Sequence, residues 1–465
     1  MGADHEPALL DEIRARPDDD GPRLVFADAL SERGDPWGEL IVAGCELARL
    51  AREGVVDAER RRALQDRCRV IRHRRWRERS LTFDARLERG FCASVDIARD
   101  EVKQVEGYEF AALREVKLWV SSVGLTALAG WQSLRHVDRL LLRGVTGHRH
   151  YITDGEAAEQ RSARTTALEQ IAQRARLSSM ELNDVDFDAG EVDQLTASAL
   201  RKSMRRFVVV SSPREAADAR WPALEQLGLV DLRLTGGDVE RMLGRPELAS
   251  LFALDMSRNA FGEAGMHAIL DRALPHLRAL RIGRTSQPTS GLTALARSSL
   301  AQRLHALSVG EERGGRAHRA LCALAEAADQ LVDLEIDQRS LTAHGAAEIA
   351  ARLRAPLRKL QLRGGEEGFA MVAALVNNAA LRGLRWLDLS GQPIGRAAVV
   401  ALARAELPAL EWLDLSDCQL DPESVPVLAT SPTLPRRLAL RLHGNALGPP
   451  SVIEPLLARY HDVRF

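Results

Sequence analysis

Two short runs carry the chemistry most worth asking about. They are Trp386-Leu387-Asp388 and Trp412-Leu413-Asp414, with Ser390 and Ser416 just beyond them. One step further along the chain, Arg441 and His443 take the places of Asp414 and Ser416. A tryptophan that its own core does not bury is costly in water, and an aromatic flanked by charge is the usual anchor of a protein–protein contact. The carboxylates of Asp388 and Asp414 would suit a protein partner offering Arg or Lys beside an apolar group. The plainer alternative is that the two indoles shield one another and cover a neighbouring leucine, as surface apolar residues often do. Neither alternative is a catalytic arrangement.

Chemistry of other kinds is sparse. No P-loop, dinucleotide fingerprint, nucleophile elbow, zincin or kinase signature occurs. His148, His150, His305, His318, His344 and His443 are scattered along the chain, so a non-enzymatic protein without a cofactor is expected. The acids Asp18, Asp19, Asp20, Asp28, Glu32 and Asp35 lack the glycine-centred spacing of a calcium loop, and helix capping or surface pairing accounts for them without a metal. Cys45, Cys68, Cys92, Cys322 and Cys418 are odd in number and free of C-x-x-C spacing, which argues against a disulfide framework and a zinc site and for a reducing compartment.

The net charge of −1 removes any whole-molecule bias toward nucleic acid or anionic lipid. Residues 60–79 are the exception, with ten arginines against Asp66 and Glu78 and with Trp76 among them. Such a basic helix is the strongest hint of nucleic-acid binding. Against it stands a linker helix whose Leu64, Val70, Ile71 and Trp76 pack on the first repeats while the arginines stay solvated or pair with acids upstream. No stretch reaches 18 apolar residues, and the start, MGADHEPALL, has neither a basic nor an apolar leader region. A cytoplasmic monomer without a membrane segment is the expectation.

The tryptophans must be positioned by something periodic. Apolar-x-apolar pairs recur in thirteen segments, and Leu254, Leu280, Leu307, Leu334, Leu360, Leu387, Leu413 and Leu440 follow one another at steps of 26 or 27 residues. A constant step of that size marks a solenoid whose units bury their apolar sides only against their neighbours. Alternation along a strand then sends Trp386 and Trp412 to the side opposite the inward leucines, the concave one. Earlier strands are expected at Val95/Ile97, Val116/Leu118, Leu140/Leu142, Met180/Leu182, Phe207/Val209 and Leu227/Leu229. Between Leu142 and Met180 the step is too long, and Arg143 to Thr166 reads as an exposed loop inserted into the array. Near the end, Val463 and Phe465 approach the register, which predicts a last strand with Phe465 packed on the final coil.

The best units match L-x-x-L-x-L-x-x-N/C-x-L: Leu251, Leu254, Met256, Asn259, Phe261, and Leu410, Leu413, Leu415, Cys418, Leu420, then Leu440, Leu442, Asn445 and Leu447. This resembles the leucine-rich repeat, and the Ala-rich stretches after each strand, such as 263–274, 343–353 and 396–407, resemble its ribonuclease-inhibitor-like subclass. The resemblance implies an α/β horseshoe over residues 90–465, with parallel strands inside and helices outside, and the Asn or Cys bonding backbone in the turn. Units at Phe207, Leu280, Leu307 and Leu360 lack that Asn and read as degenerate.

Upstream, residues 9–50 place Ile13, Pro17, Asp19, Asp20, Pro22, Arg23, Leu24, Asp28, Leu30, Gly34, Asp35, Pro36, Leu40 and Ile41 in a pattern similar to the repeat-companion domain of myxobacterial and planctomycete repeat proteins. That resemblance implies a small all-α domain over 1–50, ahead of the basic linker helix at 51–89, in a bacterial repeat protein. Together they imply an interaction scaffold for a protein partner. The alternatives are a regulator or activator of an enzyme such as a GTPase or protease, and a nucleic-acid binder.

Overall fold

The computed structural model describes the chain outside residues 1–5, 54–56, 80–83, 98–106, 145–153, 188–190, 193–199, 214–216, 273, 286–288, 312–316, 339–342, 364–367 and 461. Two compact units divide it, Met1–Leu224 and Glu225–Phe465. Both are built from repeats of a strand followed by a helix, and the first also holds the all-α segment.

In the first unit, helices α1 (Glu6–Ala15), α2 (Gly21–Glu32), α3 (Trp37–Glu53) and α4 (Ala58–Glu78) precede six strands: β1 (Asp84–Glu88), β2 (Phe91–Ile97), β3 (Glu115–Trp119), β4 (Arg139–Arg143), β5 (Ser179–Asn183) and β6 (Arg206–Val210). From β2 onward the pairing is parallel, with Val95, Val116, Leu140, Met180 and Phe207 side by side. The helical segment is packed onto the first strands. Trp37 Nε1 donates to Gly90 O at 3.0 Å, and Arg14 Nε to Ala111 O at 2.7 Å.

Two sequence expectations change here. The basic linker helix does not run through 51–89, because α4 ends at Glu78 and residues 84–88 form β1, antiparallel to β2 around Arg89 and Gly90. Both turn residues have positive φ, 49° and 85°, which suits a tight reversal. The segment 143–166 is not a loop over its described part either. Residues Asp154–Arg174 form a 21-residue helix, extending the outer helix of that repeat by adding good helix formers ahead of the buried Ala167, Leu168, Ile171 and Ala172. His148 and His150 lie outside the described residues.

The second unit runs β7 (Gln226–Val230), β8 (Ala253–Asp255), β9 (Ala279–Ile282), β10 (Ala306–Glu311), β11 (Asp333–Gln338), β12 (Lys359–Arg363), β13 (Trp386–Asp388), β14 (Trp412–Asp414), β15 (Ala439–Arg441) and β16 (Asp462–Arg464). All neighbours pair in parallel, with each inward leucine beside the next. Helices such as Gly262–Asp271, His318–Ala327 and Gly395–Ala403 return the chain between strands. Every inward pair from Leu254/Met256 to Leu440/Leu442 is at most 3% exposed. The last strand forms as the register predicts, with Val463 beside Leu440. Phe465, however, stays 41% exposed and does not close the core.

The turn after each strand explains how the repeats are held. Asn259 Oδ1 accepts from Leu232 N and Leu234 N while Nδ2 donates to Leu229 O and Met256 O. Asn445 repeats the pattern with Cys418 N, Leu420 N, Leu415 O and Leu442 O. Cys418 Sγ reaches Leu389 O at 3.2 Å. Burial, with nearby carboxylates adding, pushes its thiol up to about 12, so it is an inert structural sulfur.

The repeat at Leu280 proves less degenerate than it reads, and the repeat at Leu387 holds its turn in the same way. Thr285 and Gln392 occupy the equivalent turn place, are buried, and donate to Ile282 O and Leu362 O. Just before each of these residues the chain turns through positive φ, at Arg258, Arg284, Gly391, Asp417 and Gly444.

Candidate interaction face

The open face of the second unit's strands is built by simple alternation. Residues on either side of each inward leucine point away from the helices, so parallel register stacks them into columns. The column at the start of the strands runs Asp333, Lys359, Trp386, Trp412, Ala439, because these residues are direct neighbours across β11 to β15.

Trp386 and Trp412 meet as a stacked pair, with centroids 6.2 Å apart and planes 18° from parallel. A cation closes each end. Lys359 Nζ stands 4.7 Å from the Trp386 ring centroid, and the Arg441 guanidinium 4.1 Å from that of Trp412. Each ring face is electron-rich, so ammonium, indole, indole and guanidinium form a four-layer stack across four strands. Carboxylates steady its ends: Asp333 lies 3.5 Å from Lys359, and Asp462 lies 2.7 Å from Arg441. Both indoles remain half-exposed. Trp412 Nε1 is shielded from water and has no protein acceptor, and neither does Ser416 Oγ.

The other residues singled out from the sequence fall into two sets. Asp388 is 1% exposed: its Oδ2 holds Arg363 at 2.7 Å and its Oδ1 accepts from Ser390 N at 2.9 Å. Ser416 and Arg441 are likewise buried, while Asp414, Ser390 and His443 retain exposed surface. Asp414 Oδ1 accepts from Ser416 N at 2.9 Å, the same turn bond as in the preceding repeat. The acidic flank expected beside the tryptophans is therefore half consumed. Asp388 serves as an internal anchor, and the exposed charge above it is the guanidinium of Arg363. Sequence reasoning left out Lys359, Arg363 and Asp462. Lys359 stands one repeat before Trp386 in the same column, so the register that found the tryptophans also contained it.

The basic helix α4 looks different in place. Arg60 pairs with Glu46, Arg67 with Glu39, Arg69 with Asp66, Arg74 with Glu78, and Arg75 with Asp35. Three of those acids sit on or just before α3, so much of the positive charge is spent holding α4 to its neighbour. Trp76 stacks on Trp37 at 5.4 Å and 12°, and Ile71 is buried too. Packing is thus against the helical segment as well as the repeats, and Val70, expected inside, is 64% exposed.

Among the described residues, no helix is long and apolar enough to cross a membrane, and no cluster of His, Cys, Asp and Glu could hold a metal ion. No protein-family model and no curated relative matches the chain. Among solved structures, an internalin from Listeria monocytogenes is 14% identical, with 80% of this chain and 86% of that chain covered and a TM-score of 0.36. The Rad7 and Elc1 complex of yeast gives 16% identity, 76% and 74% coverage and a TM-score of 0.41. A Bacteroides fragilis protein gives 13%, 44% and 76%, and 0.27. Likeness at that level says nothing of what this chain binds.

Proposed function

We propose that the second unit is a protein-interaction module, and that a protein partner docks on the open strand face around Trp386 and Trp412. The observation that carries this is the half-exposed indole pair stacked between Lys359 and Arg441. Aromatic side chains fixed before binding lose little entropy when a partner covers them, which is why Trp dominates contact energetics. With Asp388 turned inward and Lys359 and Arg363 at the rim, the partner surface that fits is apolar with hydrogen-bond acceptors or carboxylates at its edge. The role is that of a scaffold, with binding rather than turnover as its output.

Affinity capture from lysate of the source organism tests this, run in parallel with wild type and a Trp386→Ala/Trp412→Ala variant whose circular dichroism matches wild type. A specific captured protein should be lost with the variant, each single substitution weakening its binding by roughly 2 kcal/mol or more. Equal capture by the folded double variant would place the interface elsewhere.

A further inference from the structure

A groove lies in the first unit, at the free side of β1. Among the described residues β1 pairs only with β2, so no strand pairs with the backbone groups of its other edge. The groove, of about 890 Å³, runs beside that edge, walled by Leu40, Gly44 and Leu47 of α3 and by Cys68, Arg69 and Arg72 of α4. Five consecutive residues, Ala85 to Arg89, line its opposite wall. Alternate side chains of a strand point to opposite faces, so an unbroken run of lining residues means that the groove meets β1 along its backbone edge. Arg72 Nη1 marks that edge, lying 3.5 Å from the outward carbonyl of Ala85. In a strand the N–H and C=O of one residue point to the same side, so the Ala85 N–H faces the groove too.

The groove also carries an excess of positive charge. Arg69, Arg72, Arg86, Arg89 and Arg114 line it with Asp18 and Glu88; Arg69 is paired with Asp66, Arg86 with Glu88, and Arg89 with Asp18 and Asp20. Among the described residues Arg72 and Arg114 have no acidic partner and meet only main-chain carbonyls, Ala85 O and Arg14 O, both at 3.5 Å. One end is shut by close approach of α3 to the β1–β2 turn, where a Cβ on Gly44 would lie 2.7 Å from Gly90 N. What is left is an open strand edge, an apolar wall of Leu40, Leu47 and Leu87, and two guanidinium groups, those of Arg72 and Arg114, that no carboxylate of the described residues neutralises.

We propose that this groove binds an acidic polypeptide segment in extended form, added as a strand to the free edge of β1. Main-chain hydrogen bonds to β1 supply the register, apolar side chains of the segment meet the α3 wall, and its carboxylates meet the arginines. The site is separate from the tryptophan face and does not depend on it.

The test uses the full chain and fluorescence anisotropy of a short, end-blocked, fluorescein-labelled peptide of alternating Glu and Val. Saturable binding is expected, weakened at least about tenfold when Lys replaces Glu and when alternate amides are N-methylated, since the first removes charge complementarity and the second the strand hydrogen bonds. An Arg72→Gln/Arg114→Gln variant should lose affinity to a similar degree with an unchanged circular dichroism spectrum. Ala85→Pro, which deletes one outward donor, should do the same. Equal binding of the N-methylated peptide, or unchanged affinity in the arginine variant, overturns the proposal. So does binding of inorganic tripolyphosphate without binding of the peptide, which would make the groove a phosphate site.

Discussion

Two stacked tryptophan pairs, one in each unit, have nearly the same internal geometry and opposite surroundings. Trp37 and Trp76 lie 5.4 Å apart at 12°, and Trp386 and Trp412 lie 6.2 Å apart at 18°. Each has a cation over a ring, Arg75 at 5.8 Å from Trp37 and Arg441 at 4.1 Å from Trp412. The first pair is nonetheless 0% and 8% exposed, with the Trp37 N–H satisfied by Gly90 O. The second is half-exposed, with one N–H unsatisfied. The supporting elements make the difference. Helices α3 and α4 close over the first pair from both sides, whereas a parallel strand column leaves one face of the second with no further layer of this unit upon it. Stacking alone therefore does not separate glue from contact surface. Burial and hydrogen-bond closure do.

The largest expected effect follows from the buried pair. Trp37→Ala removes a fully enclosed indole, the partner of Trp76 and the bond to Gly90, and should lower the stability of the first unit by about 3–5 kcal/mol in urea denaturation. A loss under about 1 kcal/mol would mean that α4 is held by its ion pairs instead. That outcome would erase the contrast between the two pairs.

A second comparison sits within the turn ladder. Asn259→Ala would strand two N–H groups and two carbonyls in a buried turn, and about 2–3 kcal/mol of destabilisation is expected. Thr285→Val deletes one hydroxyl that serves one carbonyl, so about 1 kcal/mol is expected from the same denaturation measurement. If the two cost the same, Thr285 is a fuller substitute than its single bond suggests.

These turns also show what the sequence could reveal. Asn259 and Asn445 were legible because one side chain that satisfies several backbone groups is hard to replace, so it recurs at a fixed place. Thr285 and Gln392 were missed because residues of other shapes can meet part of that demand. Positive φ before the ladder residue was invisible for a related reason: Arg258, Arg284 and Asp417 adopt it as well as Gly391 and Gly444, so no single residue type marks it. The strand columns could be read off the register, and with them the two tryptophans. What could not be read was closure, that is, which charges turn inward. Asp388 and Asp414 occupy the same place in successive repeats, yet only Asp388 is sealed under an arginine from the strand before it. The β1–β2 hairpin was hidden because Arg89 reverses the chain where the basic run suggested continued helix.

Glycine substitutions sharpen the turn comparison at smaller magnitude. Gly444 has φ 68°, and a Cβ there would lie 1.9 Å from Asp417 Oδ1. Gly391, at φ 74°, has open space around it. Gly444→Ala should cost about 2 kcal/mol, combining backbone strain with displacement of Asp417, and Gly391→Ala about 1 kcal/mol from strain alone. Equal melting temperatures for the two variants would show that Asp417 moves aside freely.

The smallest stability effect is expected at the exposed pair, and it bears most directly on function. Trp412→Ala removes a ring that stacks on Trp386 and lies under Arg441, but Leu413 and the ladder bonds of Cys418 and Asn445 stay in place. A half-exposed cation–π contact and an aromatic stack are each worth roughly 0.5–1 kcal/mol, so a total near 1 kcal/mol follows, well below the cost of Trp37→Ala. Denaturation of the two variants side by side measures the ratio. A Trp412→Ala loss as large as that of Trp37→Ala would make the second pair core, and the strand face would then lose its claim to a partner. A small loss leaves two aromatic rings standing at the surface at little benefit to the fold, which is the energetic condition a docking site requires.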